Sequence, residues 1–198
     1  MRTKKRALLV VVIACLAAAS FDVFGMDNGV GPSGAEAAGG GTTEVHIFSF
    51  GQPEITRGEW TRVSIKGCTT LLHEGEPMLP FATHTMTFPL GTKVKEVHVS
   101  LGDMEAWHLD ATVAPAPKPV SLSMQHAEMV QEPGPVYSRS DVYPSEWVRW
   151  TTGAGLHNGE HVTFLTLQVF PVRYAPQVHE LRFVDSIEVE VTYEKPSV

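Results

Sequence analysis

The fold class is decided by residues 187–193, IEVEVTY, in which apolar and polar side chains alternate along the chain. The same period of two recurs in residues 97–101, VHVSL, and in residues 107–113, WHLDATV. Alternation places one set of side chains on a core face and the other toward solvent, as in a half-buried β-strand. No window of a dozen residues has a helical period of 3.6. The sequence therefore predicts an all-β domain.

Other short stretches extend this pattern, and further strands are predicted at residues 45–50, 61–65, 84–88, 162–170 and 181–184. In residues 162–170 the apolar phase slips, which indicates either a β-bulge or burial on both faces. The pair Asp185-Ser186 is short enough to join residues 181–184 to residues 187–193 as a hairpin. Short strands between turn-forming clusters predict an antiparallel two-sheet β-sandwich, jelly-roll-like in architecture.

Composition and charge narrow the class of protein. The chain is 43% hydrophobic and 19% charged, which suits one folded domain and excludes a disordered chain. Its formal net charge of −7 argues against nucleic acid or anionic lipid as the main partner, because both require a basic face.

The N-terminal residues have the layout of a secretory signal peptide. Four basic residues within positions 2–6 precede the apolar run 7–19, which is too short to span a bilayer comfortably. We expect a signal peptide at 1–20, a flexible Gly/Ala-rich linker at 21–43, a folded domain at 44–194 and a tail at 195–198. The expected location is secreted or extracellular. An uncleaved anchor and lipid attachment at Cys15, which lies in a lipobox-like sequence, are the alternatives.

Cysteine and histidine patterns do not predict a catalytic or metal site. Beyond the expected signal only Cys68 remains, and without a marked base nearby it is predicted to be a partly buried thiol. His157 and His161 have the spacing of two ligands on a helix, but the Asn158-Gly159 turn breaks such a face. No catalytic residue, metal or cofactor is predicted.

Three further histidines, His46, His98 and His108, occupy the polar phase of predicted strands, where solvent is the expected neighbour. Protonation of several histidines would loosen a partner interface at mildly acidic pH, which is a hypothesis about regulation.

Residues 115–135 depart from the alternating rhythm, with five prolines and no regular pattern. Prolines favour an extended backbone whose polar groups are unpaired. A segment of this length is typical of a functional loop, although a mobile surface loop has the same composition. A functional loop would lie along a partner's cleft or sheet edge.

Five phrases occur in a fixed order. Four of them are centred on prolines, at residues 75–80, 113–119, 142–145 and 171–176, and the fifth is the closing pair of predicted strands. Together they resemble the N-terminal prodomain, or propeptide, of the gingipain-type (family C25) cysteine peptidases over residues 72–193. The positions that carry the resemblance are Gly75, Pro77, Leu79, Pro80, Pro115, Tyr143, Pro144, Pro171, Tyr174 and Pro176.

The resemblance implies an exported, non-catalytic sandwich that assists folding of a cysteine peptidase and blocks its active site as a zymogen. The partner would be the catalytic domain, either in the same precursor or as a separate chain. The family's inhibitory loop would begin at Pro115. Its candidate residues here are Lys118, Val120, Ser121, Leu122, Ser123 and Met124. The position that aligns with the family's basic residue is near Leu122, so the resemblance does not fix the specificity of the target.

Two other functions remain open on the residues alone. A cell-surface adhesion or carbohydrate-binding module would use the same sandwich and would expose an aromatic patch on one sheet. An enzyme using Cys68 would lose its function when the thiol is alkylated.

Overall fold

The computed structural model describes residues 41–120 and 130–196, together with the backbone of residues 35–36. The expected signal peptide and most of the expected linker lie outside the described residues. The strands are β1 Ala35–Glu36, β2 Thr42–Ser49, β3 Glu54–Thr56, β4 Arg62–Ser64, β5 Thr69–Thr70, β6 Pro80–Pro89, β7 Lys93–Leu101, β8 Met104–His108, β9 Val148–His157, β10 Glu160–Val169, β11 Val172–Ala175, β12 Glu180–Val184 and β13 Ser186–Glu194. Two 3-10 turns, Pro135–Ser138 and Pro176–Val178, are the only helical elements in this part of the chain. Neither has the length and hydropathy needed to cross a membrane.

Two four-stranded antiparallel sheets form the body of the domain. The first sheet has the order β1-β2-β13-β7, and the second has the order β5-β6-β10-β9. The main core lies between them and includes Phe48, Met86, Phe88, Leu165, Leu167, Ile187, Val189 and Val191. Burying such side chains away from water is the main favourable term in folding. The predicted all-β sandwich is confirmed.

A smaller three-stranded sheet, β11-β12-β8, and the β3-β4 pair continue the domain at one end. They enclose a second core that includes Val63, Leu79, Val113, Tyr174, Leu181 and Phe183. This second core supports the segment from which the proline-rich loop departs.

The predicted hairpin at Asp185-Ser186 is wrong. The strand β12 pairs with β11 and β8, whereas β13 pairs with β2 and β7 in the other sheet. Only Asp185 separates β12 from β13, which is too short for a hairpin turn. Instead, β12 pairs antiparallel with β8, and β13 pairs antiparallel with β7. The chain changes sheets near Gly102, between β7 and β8, and again at Asp185, between β12 and β13.

The face of β2 that packs against the core is also the opposite of the predicted one, because His46 was expected to face solvent. His46 lies on the inner face, with a side chain that is 15% exposed, whereas Val45 and Ile47 are 46% and 67% exposed on the outer face. The phase is set by Phe48, which is buried between the sheets and places every second residue inward.

Two strand boundaries differ from the expectation in an informative way. The strand predicted at residues 107–113 ends at His108, because β12 begins opposite it at Glu180 and Leu109 donates its N–H to the carbonyl of His179. The phase slip in β10 is burial on both faces. Val162 and Thr163 are both buried, and the ladders on both sides of β10 run without a register shift.

Candidate functional site

The proline-rich loop leaves the domain through a stem, which we define as residues 113–118 on the outgoing side and 130–134 on the returning side. The outgoing side pairs with residues 74–78. Ala116 donates its N–H to the carbonyl of Glu76 (2.8 Å) and accepts from the N–H of Gly75 (3.0 Å). Met78 donates to the carbonyl of Ala114 (2.9 Å). The backbone of the outgoing side is therefore fixed before the loop begins.

The two sides of the stem meet at one point. The backbone N–H of Lys118 donates to the carbonyl of Val130 (3.0 Å), and the side-chain amide of Gln131 donates to the carbonyl of Pro115 (2.9 Å). Residues 119–129 are thereby closed into a loop whose ends are adjacent. Lys118 and Val120 are exposed. The other candidates, Ser121, Leu122, Ser123 and Met124, lie outside the described residues.

Two glycines allow the returning side to approach the core. Gly75 has a φ of +73°, a conformation that side chains disfavour, and its carbonyl accepts from the N–H of Gly134 (2.8 Å). A Cβ on Gly134 would lie 2.9 Å from the carbonyl oxygen of Gly75. The stem therefore depends on a direct contact between two backbones.

Two tyrosine hydroxyls donate hydrogen bonds to the stem and to the segment that pairs with it. The hydroxyl of Tyr137 donates to the carbonyl of Val113 (2.7 Å), and that of Tyr143 donates to the carboxylate of Glu76 (2.6 Å). Burial, followed by the bond to Glu76 and its charge, raises the pKa of Tyr143. Burial also raises the pKa of Tyr137. Both hydroxyls therefore keep their protons at neutral pH and act as hydrogen-bond donors.

Tyr143 also fixes the chain that follows the loop. It exchanges two backbone hydrogen bonds with Tyr174, of 2.8 and 2.6 Å, and the next peptide bond, to Pro144, is cis. The guanidinium of Arg173 donates to the carbonyls of Pro144 (2.7 Å) and Ser145 (2.8 Å) and lies 4.8 Å from the ring centre of Trp147.

The positions that carry the family resemblance share one property: all of them except Tyr143 are buried. Pro115 lies in the stem, and Gly75 and Pro77 lie in the segment that pairs with it, where Pro77 is opposite Pro115. Leu79 and Tyr174 belong to the second core, and Pro80, Pro171 and Pro176 adjoin strands around it. Sequence reasoning missed Glu76, Gln131, Gly134 and Tyr137. Of these, only Glu76, inside a proline phrase, and Gly134, between two prolines, carry a local signal.

The geometry does not support the two hypotheses of an enzyme that uses Cys68 and of a metal site. Burial raises the pKa of Cys68 to about 11, so its thiol carries a proton at neutral pH and is a poor nucleophile. Among the described residues, no group of three His, Cys, Asp or Glu side chains could hold a metal ion.

The carbohydrate-binding alternative requires an exposed aromatic patch. In the described ranges, Trp150 is the one aromatic residue among the exposed large apolar side chains. Trp107 is half-buried and lines a cleft of about 400 Å³ together with Ile55 and Leu109. Trp150 and Trp107 belong to different sheets and do not form one patch.

Two solved structures have a similar fold. A complex of Porphyromonas gingivalis RgpB pro- and mature domains matches with a TM-score of 0.60 and 15% identity, covering 83% of this chain and 84% of that chain. A structure addressing the zymogenic latency of gingipain K from Porphyromonas gingivalis matches with a TM-score of 0.62 and 20% identity, covering 85% and 95%. No curated protein matches the chain.

The family assignment comes from the sequence rather than from these distant structures. The Propeptide_C25 family model matches residues 42–198, which include every proline phrase, both cores and the whole loop stem. The prediction of a gingipain-type propeptide is confirmed, and this chain belongs to the Propeptide_C25 family.

Proposed function

We propose that this propeptide keeps a gingipain-type cysteine peptidase latent by placing residues 119–129 in its active-site cleft. The observation that carries the proposal is the stem, in which the Lys118–Val130 hydrogen bond closes the loop at its base. Family membership supports a non-catalytic role as part of a zymogen. One of the similar structures is a complex of RgpB pro- and mature domains, and the other concerns the zymogenic latency of gingipain K.

A fixed stem is what such a role requires physically. Docking a loop costs the conformational entropy of every residue that becomes ordered, so fixing both ends in advance reduces that cost. Hydrogen bonds of the Gly75–Met78 segment, the Gly75–Gly134 contact and the two tyrosine hydroxyls fix them here. Lys118 is the only lysine or arginine in residues 115–135 and stands where the loop leaves the stem.

The proposal is tested most directly by exchanging the loop and leaving the stem intact. Residues 119–129 are replaced by a Gly/Ser segment of equal length, and inhibition of a gingipain-type peptidase is measured beside the urea stability of both proteins. We expect the inhibition constant to rise by about 100-fold, which corresponds to ~2.7 kcal/mol, with little change in stability. Unchanged inhibition by the stably folded exchange variant would contradict the proposal.

Two single substitutions distinguish a contribution of Lys118 from one of the loop that follows it. Lys118→Ala tests the basic residue at the stem, and Val120→Ser tests the nearby exposed position inside the loop. A loss confined to Lys118→Ala assigns recognition to its charge. Equal inhibition by both single variants assigns recognition to residues 121–129.

The proposed role also requires export. We infer that residues 1–20 are removed as a signal peptide, that residues 21–43 link the export signal to the domain, and that residues 44–194 form the folded unit. The N-terminus of the exported protein, determined by intact mass, should lie close to Ser20. A mass increase on Cys15 would replace this account with lipid anchoring.

A further inference from the structure

The outer edge of β9 is available for pairing. β9 is the last strand of the second sheet, and among the described residues no strand lies on its other side. It pairs with β10 over the whole of Val148–His157 without a register shift. The edge is therefore long and regular, which is the form that another strand can extend.

The other edges of the two large sheets do not share this form. β1 and β5 have two residues each and leave most of β2 and β6 without a neighbouring strand among the described residues, but β2 carries Glu44 and β6 begins and ends with a proline. β7 carries Lys93 and Lys95, and its ladder with β13 has a register shift. Short length, lysines and irregularity all oppose edge-to-edge pairing. β9 contains no lysine, proline or carboxylate, although the chain as a whole is acidic.

The hairpin turn fixes which backbone groups of β9 point outward. Asn158 and Gly159, with φ values of 51° and 85°, form a two-residue turn between β9 and β10. His157 and Glu160 are therefore a hydrogen-bonded pair, and such pairs alternate along the ladder. After Val148, the N–H and C=O groups of β9 that point away from β10 belong to Trp150, Thr152, Ala154 and Leu156.

The same residues share one face, because they are two positions apart along the strand. Trp150 is 41% exposed and Leu156 is 65% exposed. Their partners on β10 are Leu167 and His161, so Trp150 continues the inner face formed by Leu167. An exposed apolar side chain thus stands at each end of the free backbone edge.

We propose that the partner of this edge is β9 of a second copy of this chain, in antiparallel register about a two-fold axis at Gly153. In this register Trp150 lies opposite Leu156 of the other copy, and the symmetric pair forms on the other side of the axis. Thr152 lies opposite Ala154 in the same way. The second sheets of the two copies then join into one eight-stranded sheet, independently of the proposed inhibitory role.

Self-complementarity favours a second copy over an unrelated strand. A foreign segment would have to supply two apolar side chains six positions apart on one face, and β9 supplies this spacing itself. At the axis, nothing lies within 4 Å of the place that a Cβ on Gly153 would occupy, so the two backbones approach freely. On the opposite face Arg149 faces His157 of the other copy, but its guanidinium is turned toward Glu146 (3.9 Å) and the Phe170 ring (5.6 Å).

Sedimentation velocity over a range of concentrations tests the association. We expect a dimer at tens of micromolar protein. Leu156→Glu should raise the dimer dissociation constant by about 100-fold, because it places a carboxylate opposite each of two tryptophans. Val178→Glu is the matched control, since Val178 is 58% exposed and lies outside β9. A monomer at every concentration, or equal weakening by both variants, would overturn the proposal.

Cysteine substitution tests the register. The two copies of Gly153 face each other as a pair without hydrogen bonds, with Cα atoms about 4.5 Å apart, which suits a disulfide. The two copies of Thr151 are ~13 Å apart in the same register. Oxidation should therefore give a covalent dimer of Gly153→Cys and none of Thr151→Cys. Equal cross-linking, or none in either variant, would show that β9 pairs differently or is covered by another segment.

Discussion

Replacing Gly134 with alanine isolates the contact on which the loop stem depends. Gly134 has φ −82° and ψ −174°, an extended backbone that alanine adopts without strain. The added Cβ would lie 2.9 Å from the carbonyl oxygen of Gly75 and 3.3 Å from its carbonyl carbon. Both are backbone atoms of a buried residue, so no flexible side chain can move aside.

The magnitude follows from two opposing terms. Forcing an extra carbon into a packed contact costs roughly 1–3 kcal/mol. Alanine also restricts the unfolded chain, which returns about 0.4–1 kcal/mol. We expect Gly134→Ala to lower the free energy of unfolding by about 1–2 kcal/mol in urea titrations. We also expect the inhibition constant for a gingipain-type peptidase to rise by about tenfold, since the returning side of the loop is displaced.

The control is Gly51→Ala, because Gly51 is exposed and a Cβ added there would have nothing within 4 Å. This change should leave both stability and inhibition close to those of the unaltered protein. If Gly134→Ala behaved like Gly51→Ala in both assays, the two backbones would not need to touch. The stem would then be too loose to position the loop.

Three further predictions concern titratable side chains. Tyr143→Phe should lower the free energy of unfolding by about 1 kcal/mol, and a double-mutant cycle with Glu76→Ala should show coupling between the two. Burial lowers the pKa of both His46 and His84 below the value of 6.5 that is expected in the unfolded chain. The charge of His46 lowers the pKa of His84 further. The unfolded chain therefore takes up more protons than the folded one below about pH 6.5, so the free energy of unfolding should fall as the pH is lowered. The slope is at most ~1.4 kcal/mol per pH unit for each histidine, and it should be smaller in His84→Asn. Cys68, with its pKa raised to about 11, should react slowly with iodoacetamide until urea is added, and Cys68→Ser should inhibit normally.

Local alternation predicted several of the long strands, but it predicted neither β9 nor β11, and it did not predict how the strands pair. Residues 187–193 form β13 as predicted, because Ile187, Val189 and Val191 face the core while Glu188 is exposed. The false hairpin at Asp185 arose because two strands close in sequence normally pair. Here the chain changes sheets at that residue, and the competing partners, β7 and β8, lie about eighty positions away in sequence. No local pattern encodes that choice.

The reversed phase of β2 has a similar cause. Val45 and Ile47 are more apolar than Glu44 and His46, so a local pattern places them inward. Glu44 and His46 are instead accommodated between the sheets, where Glu44 accepts from the Tyr193 hydroxyl and the His46 ring lies 5.1 Å from that of His84. Partners on β13 and β6 supply the polar contacts, and they are visible only in three dimensions.

The segments that form the stem carried a sequence signal, whereas the contacts that hold the stem together did not. The proline phrases located the stem, but the pairing of Ala116 with Gly75 and Glu76 joins segments about forty residues apart. Tyr137 and Gln131 act through single hydrogen bonds to carbonyls of the outgoing side, and neither belongs to a phrase. Residue type alone does not distinguish such contacts from those of a polar side chain that meets only solvent.

Burial of the phrases also explains why the resemblance survives a change at the loop itself. Gly75, Pro77 and Pro115 lie in the stem and in the segment that pairs with it, and all three are buried. In our proposal their role in inhibition is therefore indirect, through the position of the loop's two ends. Residues between those ends meet only the peptidase in our proposal, so they can follow the specificity of the target. A non-basic residue near Leu122 is therefore compatible with the same stem acting on a peptidase of different preference.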